Sequence, residues 1–345
     1  MSAYIKPSVK TIITLAFLTL LSSTASFALV TTAPFALQDT IVINNTPLQQ
    51  DTITSTIATR IINRDFNNIY VQNLRSSFFG QELFQPIKTQ LVGDIVANFV
   101  VFNTPKSRFF VNAFTRIKIR LLSTQGAPVK SPSYMPGIQL FYRLNHDIYK
   151  PEFVSLGFTH HSNGIRGSTL NPDNSFNVDS GKFSTNFYTF TYTKGKRTDF
   201  ENVIVNRYST LGLEVHSGLF TRKGTAEGLK DRYGFVRLNG TLMYNFAKKY
   251  ADPIKTDKWV YNNWQRVQFD FTYIADKYEH YNAINLKKRL NVSLKYYYNL
   301  PFLQDMAIMA GGGYRGQDDY NIYFQNSYGY AMIGLSSGLS FLFNK

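Results

Sequence analysis

The sequence predicts an all-β protein, an antiparallel transmembrane β-barrel of outer-membrane type, from three observations. Stretches of strict apolar–polar alternation recur from about residue 84 to the carboxy terminus. Each stretch has an apolar face, and no partner helix or second sheet is apparent to cover it. The chain is rich in Tyr (23) and Phe (29), yet its mean hydropathy is slightly negative, as expected when each strand offers lipid only its alternate residues. An open sheet edge cannot exist in lipid, so such strands must close on themselves.

The elements follow that pattern in order. In residues 108–121, Phe109, Val111, Ala113, Ile117 and Ile119 share one face, and Asn112, Arg116, Lys118 and Arg120 the other. In 232–246, Val236, Leu238, Leu242, Tyr244 and Phe246 alternate with Arg237, Asn239, Thr241 and Asn245. Residues 265–273 and 291–298 repeat the rule, the first with Val267, Phe269 and Phe271, the second with Val292, Leu294 and Tyr296. Charges of both signs on the polar faces suit a hydrated, hydrogen-bonded lumen. About ten strands are clear and one or two are weaker, close to an even-numbered barrel of modest size. The last, 333–343, ends in Gly338 with Leu339, Phe341 and Phe343 at alternate positions. It is similar to the carboxy-terminal signal read by the bacterial barrel-assembly machinery, although Asn344 and Lys345 follow its final aromatic.

The amino terminus reads as a secretory signal peptide over residues 1–28. Lys6 and Lys10 precede an apolar run at 11–21, and Ser26 and Ala28 supply small residues for cleavage. The run is too short to span roughly 30 Å of hydrocarbon. Residues 29–83 lack strong strand alternation and read as a periplasmic extension. Within it, Ile53, Ile57 and Ile61 recur at a helical spacing. The barrel domain is then 84–345. Cysteine is absent, which excludes a disulfide framework and thiolate metal sites. The formal net charge of +15 is scattered through the alternating stretches and forms no block. An anionic lipid surface is therefore the expected partner, and nucleic acid is not.

One stretch carries candidate chemistry. Sorting 151–164 by strand parity places Val154, Leu156, Phe158, His160 and Ser162 on the apolar, lipid-facing side. His161 falls on the lumen side. In the next strand Asn186 shares a face with Tyr188, Phe190 and Tyr192. If the two strands pair as antiparallel neighbours, Asn186 comes beside His160 and Ser162. A serine hydroxyl needs a base to become a nucleophile. His160 is placed to accept its proton, and an amide oxygen on Asn186 can hold the imidazole in the useful tautomer. A turn beginning at Ser162-Asn163-Gly164 is the plain alternative.

His160-His161-Ser162-Asn163-Gly164 resembles the H-x-S-N-G signature of the outer-membrane phospholipase A family. Asn186, in its aromatic-rich strand, is similar to that family's third catalytic residue. Ser133-Tyr134-Met135-Pro136 and Asp319-Tyr320-Asn321 are similar to two flanking elements, and the likeness runs in order from about residue 84 to the end. The resemblance implies a twelve-stranded barrel that hydrolyses acyl esters of glycerophospholipids, with phospholipase A1/A2 and lysophospholipase activity. It implies Ser162 as nucleophile, His160 as general base and Asn186 as the residue orienting His160. It also implies one calcium ion per active site and activation as a homodimer in the outer membrane. Departures accompany it. His161 fills the x position, and Ile165 stands where Arg is usual. Calcium ligands implied by the resemblance are Ile165, through its carbonyl, with Ser180 or Ser184. Asp173 and Asp179 are alternative oxygen donors.

Other residues read plainly. His146 and His280 fall near loops, and His216 sits beside Glu214 on a polar face. Gly311-Gly312-Gly313 suggests close packing within a strand. Lys194, Lys196 and Arg197 form a small basic turn, either a solvated hairpin or a contact for phosphate head groups. The rival to an enzyme is a non-enzymatic porin or structural barrel; an adhesin has only the long loops in its favour.

Overall fold

A computed structural model describes residues 76–342, apart from 104–107, 127, 130, 146, 148, 220–224, 252–258, 301, 303–305 and 318–325. The signal peptide, the isoleucine spacing at 53–61, His146, the Asp319-Tyr320-Asn321 element and the last three residues lie outside this set.

Twelve consecutive strands form the barrel: β1 (Ser77–Leu83), β2 (Thr89–Asn103), β3 (Phe109–Leu122), β4 (Ser133–Arg143), β5 (Glu152–Ser162), β6 (Ser184–Asp199), β7 (Val203–His216), β8 (Val236–Ala251), β9 (Trp259–Ile274), β10 (Leu290–Asn299), β11 (Met306–Arg315) and β12 (Tyr328–Ser337). Each is antiparallel to the next, and β12 returns to pair with β1, so the sheet is closed. The first strand lies inside the stretch that the alternation pattern assigned to the extension, so the barrel begins before residue 84. β1 is short and carries Glu82 on its inward face, which interrupts any apolar run.

At the seam Gly80 stands opposite Gly334. A Cβ on Gly80 would lie 2.2 Å from the Ile333 carbonyl oxygen, and one on Gly334 2.3 Å from that of Phe79. Only glycine permits this approach. Beyond the start of β1, a short continuation of the last strand, β13 (Leu339–Leu342), pairs directly with β2. Both run antiparallel to β1 and are therefore parallel to each other. Gly311 and Gly313 on β11 likewise face backbone oxygens of β10 at 2.6 and 2.1 Å from a Cβ position, which agrees with close packing.

Parity sorts the wall cleanly. Ile138, Leu140, Leu156, Phe158, Tyr188, Phe190, Leu211 and Leu213 are exposed on the outside. The inside is polar at mid-height, with Arg116 paired to Asp94, Lys295 to Asp270 (3.0 Å), and Glu82 to both Arg315 (2.6 Å) and Arg120 (3.6 Å). These pairs link adjacent or next-but-one strands along the inner wall.

The interior differs from a purely hydrated lumen. Val100, Phe110, Phe141, Phe153, Tyr208 and Met243 all point inward and pack into one apolar cluster. They share parity with the polar positions, so alternation alone masks them. The remaining space is divided into cavities, two of them about 280 and 320 Å³.

The connections sort by length. Those after the odd-numbered strands include the long segments 163–183, 217–235 and 275–289, while β6 and β7 are joined through 200–202 alone. In outer-membrane barrels long loops face outward from the cell and short turns face the periplasm.

Candidate active site

The site forms where β4, β5 and β6 reach the long-loop end. His160 is directly opposite Asn186, and Ser162 directly opposite Ser184, in the β5–β6 register. His160 Nδ1 and Asn186 Oδ1 are 2.8 Å apart. An amide oxygen only accepts, so the imidazole donates through Nδ1–H. In the neutral ring this leaves Nε2 as the free base. His160, Ser162 and Asn186 are all half-buried and share the outward face with Phe158 and Tyr188. Among the described residues the side-chain hydrogen bond within this trio is the one between His160 and Asn186. Ser162 lies two residues from His160 on the same face, without a hydrogen bond to it.

On the other side, Tyr134 of β4 is in register with Ser162. Pro136 has no N–H to donate, and the β4–β5 pairing skips from Tyr134 to Gly137 beside His160. The Ser133-Tyr134-Met135-Pro136 element thus borders the trio.

Above the trio, Asn163 ties the loop together. Its amide donates to the Gly181 carbonyl at 2.8 Å, and its Oδ1 accepts from the N–H groups of Phe183 (2.9 Å) and Ile165 (3.2 Å). Gly164 follows with φ +74°, a left-handed conformation that glycine adopts without penalty. The sequence suggests only a turn here; the three bonds show a side chain knotting both ends of a loop whose middle packs elsewhere. Phe176 and Phe183 from this loop join Leu229, Tyr233 and Phe235 from 217–235 in a second apolar cluster. Asn163→Ala is expected to weaken this loop by about 1–3 kcal/mol through buried groups left unpaired. Limited proteolysis should then cut within 163–183 while the barrel stays folded; an unchanged cleavage rate would contradict the role.

The lumen face behind the trio carries its own network, which sequence reasoning reduced to His216 beside Glu214. His216 Nε2 donates to Glu214 at 2.9 Å, Thr185 contacts His216 Nδ1 at 3.0 Å, and Arg237 reaches Glu214 at 3.2 Å. His161 is buried there and meets Phe183 edge-on at 4.5 Å between ring centres. Thr185 precedes Asn186, so this network braces β6 from inside.

Of the residues implied as calcium ligands, Ile165 and Ser184 lie on either side of the Asn163 knot. Ser184 is buried opposite Ser162, and Ile165 lies at the start of the loop. Ser180 is exposed and its hydroxyl bonds to Asn177. Asp173 is exposed too; its carboxylate accepts two bonds from Ser175, which hold it below the usual carboxylate range. Calcium takes six to eight oxygens and usually carboxylates among them. Among the described residues no three His, Asp or Glu side chains converge. Among the described residues the donors implied for calcium are thus a backbone carbonyl and hydroxyls, with no cluster of carboxylates beside them.

No protein-family model matches this chain, and no curated protein sequence matches it. Solved structures of similar fold include outer membrane phospholipase A from Escherichia coli, at 11% identity and TM-score 0.46, over 76% of this chain and 96% of that one. An active-site mutant of the same enzyme gives 10% identity and TM-score 0.48, over 84% and 99% of the two chains. The beta domain of the Bordetella autotransporter BrkA gives 9% and 0.35, over 76% and 97%. At these identities and scores the likeness is one of overall form and says nothing of chemistry.

Proposed function

We propose that this outer-membrane-type barrel hydrolyses acyl ester bonds of glycerophospholipids from its lipid-facing wall, with phospholipase A1/A2 and lysophospholipase activity. The observation that carries the reading is the 2.8 Å bond between His160 Nδ1 and Asn186 Oδ1 on the outside of the barrel. A buried amide–imidazole pair inside the lumen would be ordinary packing. The same pair facing acyl chains, two residues from a serine on the same face, has an ester within reach.

The chemistry divides among three side chains. A rotation of Ser162 toward Nε2 makes the hydroxyl a nucleophile, because His160 takes its proton as the Oγ–carbonyl bond forms. His160 then gives that proton to the departing lysolipid oxygen. In the second half, His160 activates water to release the fatty acid from Ser162. Asn186 takes no proton; it keeps Nδ1 protonated and the ring aligned. The outward position lets a lipid present its ester without leaving the bilayer.

The resemblance also implies calcium and an active homodimer. Ser162, His160 and Asn186 carry the steps above, and calcium, where bound, would supply positive charge for the ester oxygen. Assay with calcium and with chelator tests the dependence: loss of activity in chelator that added calcium restores supports the ion, and unchanged activity removes it.

A pore is the poorer account. The apolar cluster around Phe110 and Phe153 occupies part of the lumen, and the buried loop cluster around Tyr233 packs against the lumen-side rings of His161 and His216.

A membrane-soluble alkyl sulfonyl fluoride tests the nucleophile. Ser162 should displace fluoride, and peptide mapping should place the adduct on that residue as lipid hydrolysis stops. Hydrolysis that persists after complete labelling, or a blocking adduct on another serine, would remove Ser162 from its role.

A further inference from the structure

We propose that Lys150, Lys196 and Arg207 form a binding row for the phosphate groups of anionic phospholipids in the leaflet at the short-turn end. Register makes the row. Lys196 on β6 is directly opposite Arg207 on β7. The β5–β6 ladder runs on past Glu152, with Gly195 N–H bonded to the Pro151 carbonyl (2.7 Å) and Arg197 N–H to that of Tyr149 (2.8 Å). Lys150 therefore stands opposite Lys196. Parity places Lys196 on the face of Phe190 and Tyr192, and Arg207 on that of Leu211 and Leu213, and all three cations are exposed. Adjacent strands lie about 4.8 Å apart, so the row gathers three positive charges within roughly 10 Å.

Like charges directly opposed on a sheet repel, and the acids within three positions of the row along the strands, Asp147, Glu152 and Asp199, are engaged with other groups. Glu152 lies 3.5 Å from Lys194, and Asp199 lies 3.0 Å from Arg197. The Asp147 carboxylate accepts from the backbone N–H groups of Tyr149 and Lys150. Among the described residues none of the three row side chains is in an ion pair. An external anion supplies the missing complement.

Height identifies that anion. The row lies ten positions along the strands from His160 and Asn186. At about 3.3 Å per residue and a tilt near 40°, that is about 25 Å along the barrel axis, the height of the apolar band of such barrels. Only apolar or small outward residues intervene on β5 to β7, apart from the Glu152–Lys194 pair. The row therefore meets the head-group layer, where lipid phosphate is the abundant anion. Aromatic neighbours fit the same layer: Arg207 lies 5.9 Å from the Tyr244 ring, and Lys248 lies 4.0 Å from that of Trp264.

The test is native mass spectrometry of the refolded full chain in detergent, titrated with phosphatidylglycerol, phosphatidylcholine or inorganic phosphate. Phosphatidylglycerol should be retained in preference to phosphatidylcholine, and the preference should fall by about a hundredfold in the triple variant Lys150→Gln, Lys196→Gln, Arg207→Gln, from the attraction of three cations near an anionic surface. A control with equal charge loss at the other end, Lys230→Gln, Lys277→Gln, Lys287→Gln, should keep the preference. Equal retention of the two lipids, equal loss in both variants, or inorganic phosphate competing as well as the lipid would each overturn the proposal.

Discussion

Replacing Ser162 with alanine is expected to lower fatty-acid release from phospholipid vesicles by about 10⁴-fold or more, with His160→Ala close behind. The two losses should be nearly equal, since a nucleophile without its base and a base without its nucleophile both leave the ester unattacked. The double variant should be little worse than either single one. Asn186→Ala should cost less, because Asn186 neither gives nor receives a proton and only holds the ring. All variants should keep the barrel: Ser162 and His160 face outward, and their β5–β6 ladder is made by backbone groups. Wild-type rates in the Ser162→Ala protein would end the hydrolase reading, whatever the state of the fold.

Removing the Glu82 carboxylate is expected to be among the most costly changes for stability. Glu82 is almost wholly buried and faces Arg120 and Arg315, whose side chains are 2% and 12% exposed. Glu82→Leu removes the buried carboxylate that both guanidinium groups face in the barrel interior. Breaking a buried pair in this way typically costs about 3–5 kcal/mol, mainly from the charges left behind. A cavity of about 320 Å³ borders Glu82 and Arg315, and water entering it moves the expectation toward the lower figure. The pair also joins β1 to the barrel, so the loss should fall on closure of the seam. The exposed Lys277–Asp231 pair at 3.2 Å is the comparison; Lys277→Ala should change stability by no more than about 1 kcal/mol. Urea unfolding in detergent or vesicles measures both. Equal midpoints for the two variants would show that Glu82 is not a keystone of the interior.

Strand parity is a local property, and the sequence by itself determined it. A period of two puts Leu156, Phe158, His160 and Ser162 on one face whatever their neighbours do, and it does the same for Asn186 with Tyr188. The closed barrel followed from the same fact, because apolar faces without cover require lipid outside and no free edge. Register is different, since a shift along a neighbouring strand changes every partner while leaving short patterns in place. Only the tertiary structure decided that His160 meets Asn186 directly, that Ser184 faces Ser162, and that Lys150, Lys196 and Arg207 fall in one row. It also decided how the inward face is shared. Phe110 and Phe153 pack together because register sets them on either side of β4, and Glu82 finds Arg315 because the first strand and the eleventh end up on either side of the twelfth. Such pairings depend on the free energy of the whole closed sheet, which no short stretch of residues encodes.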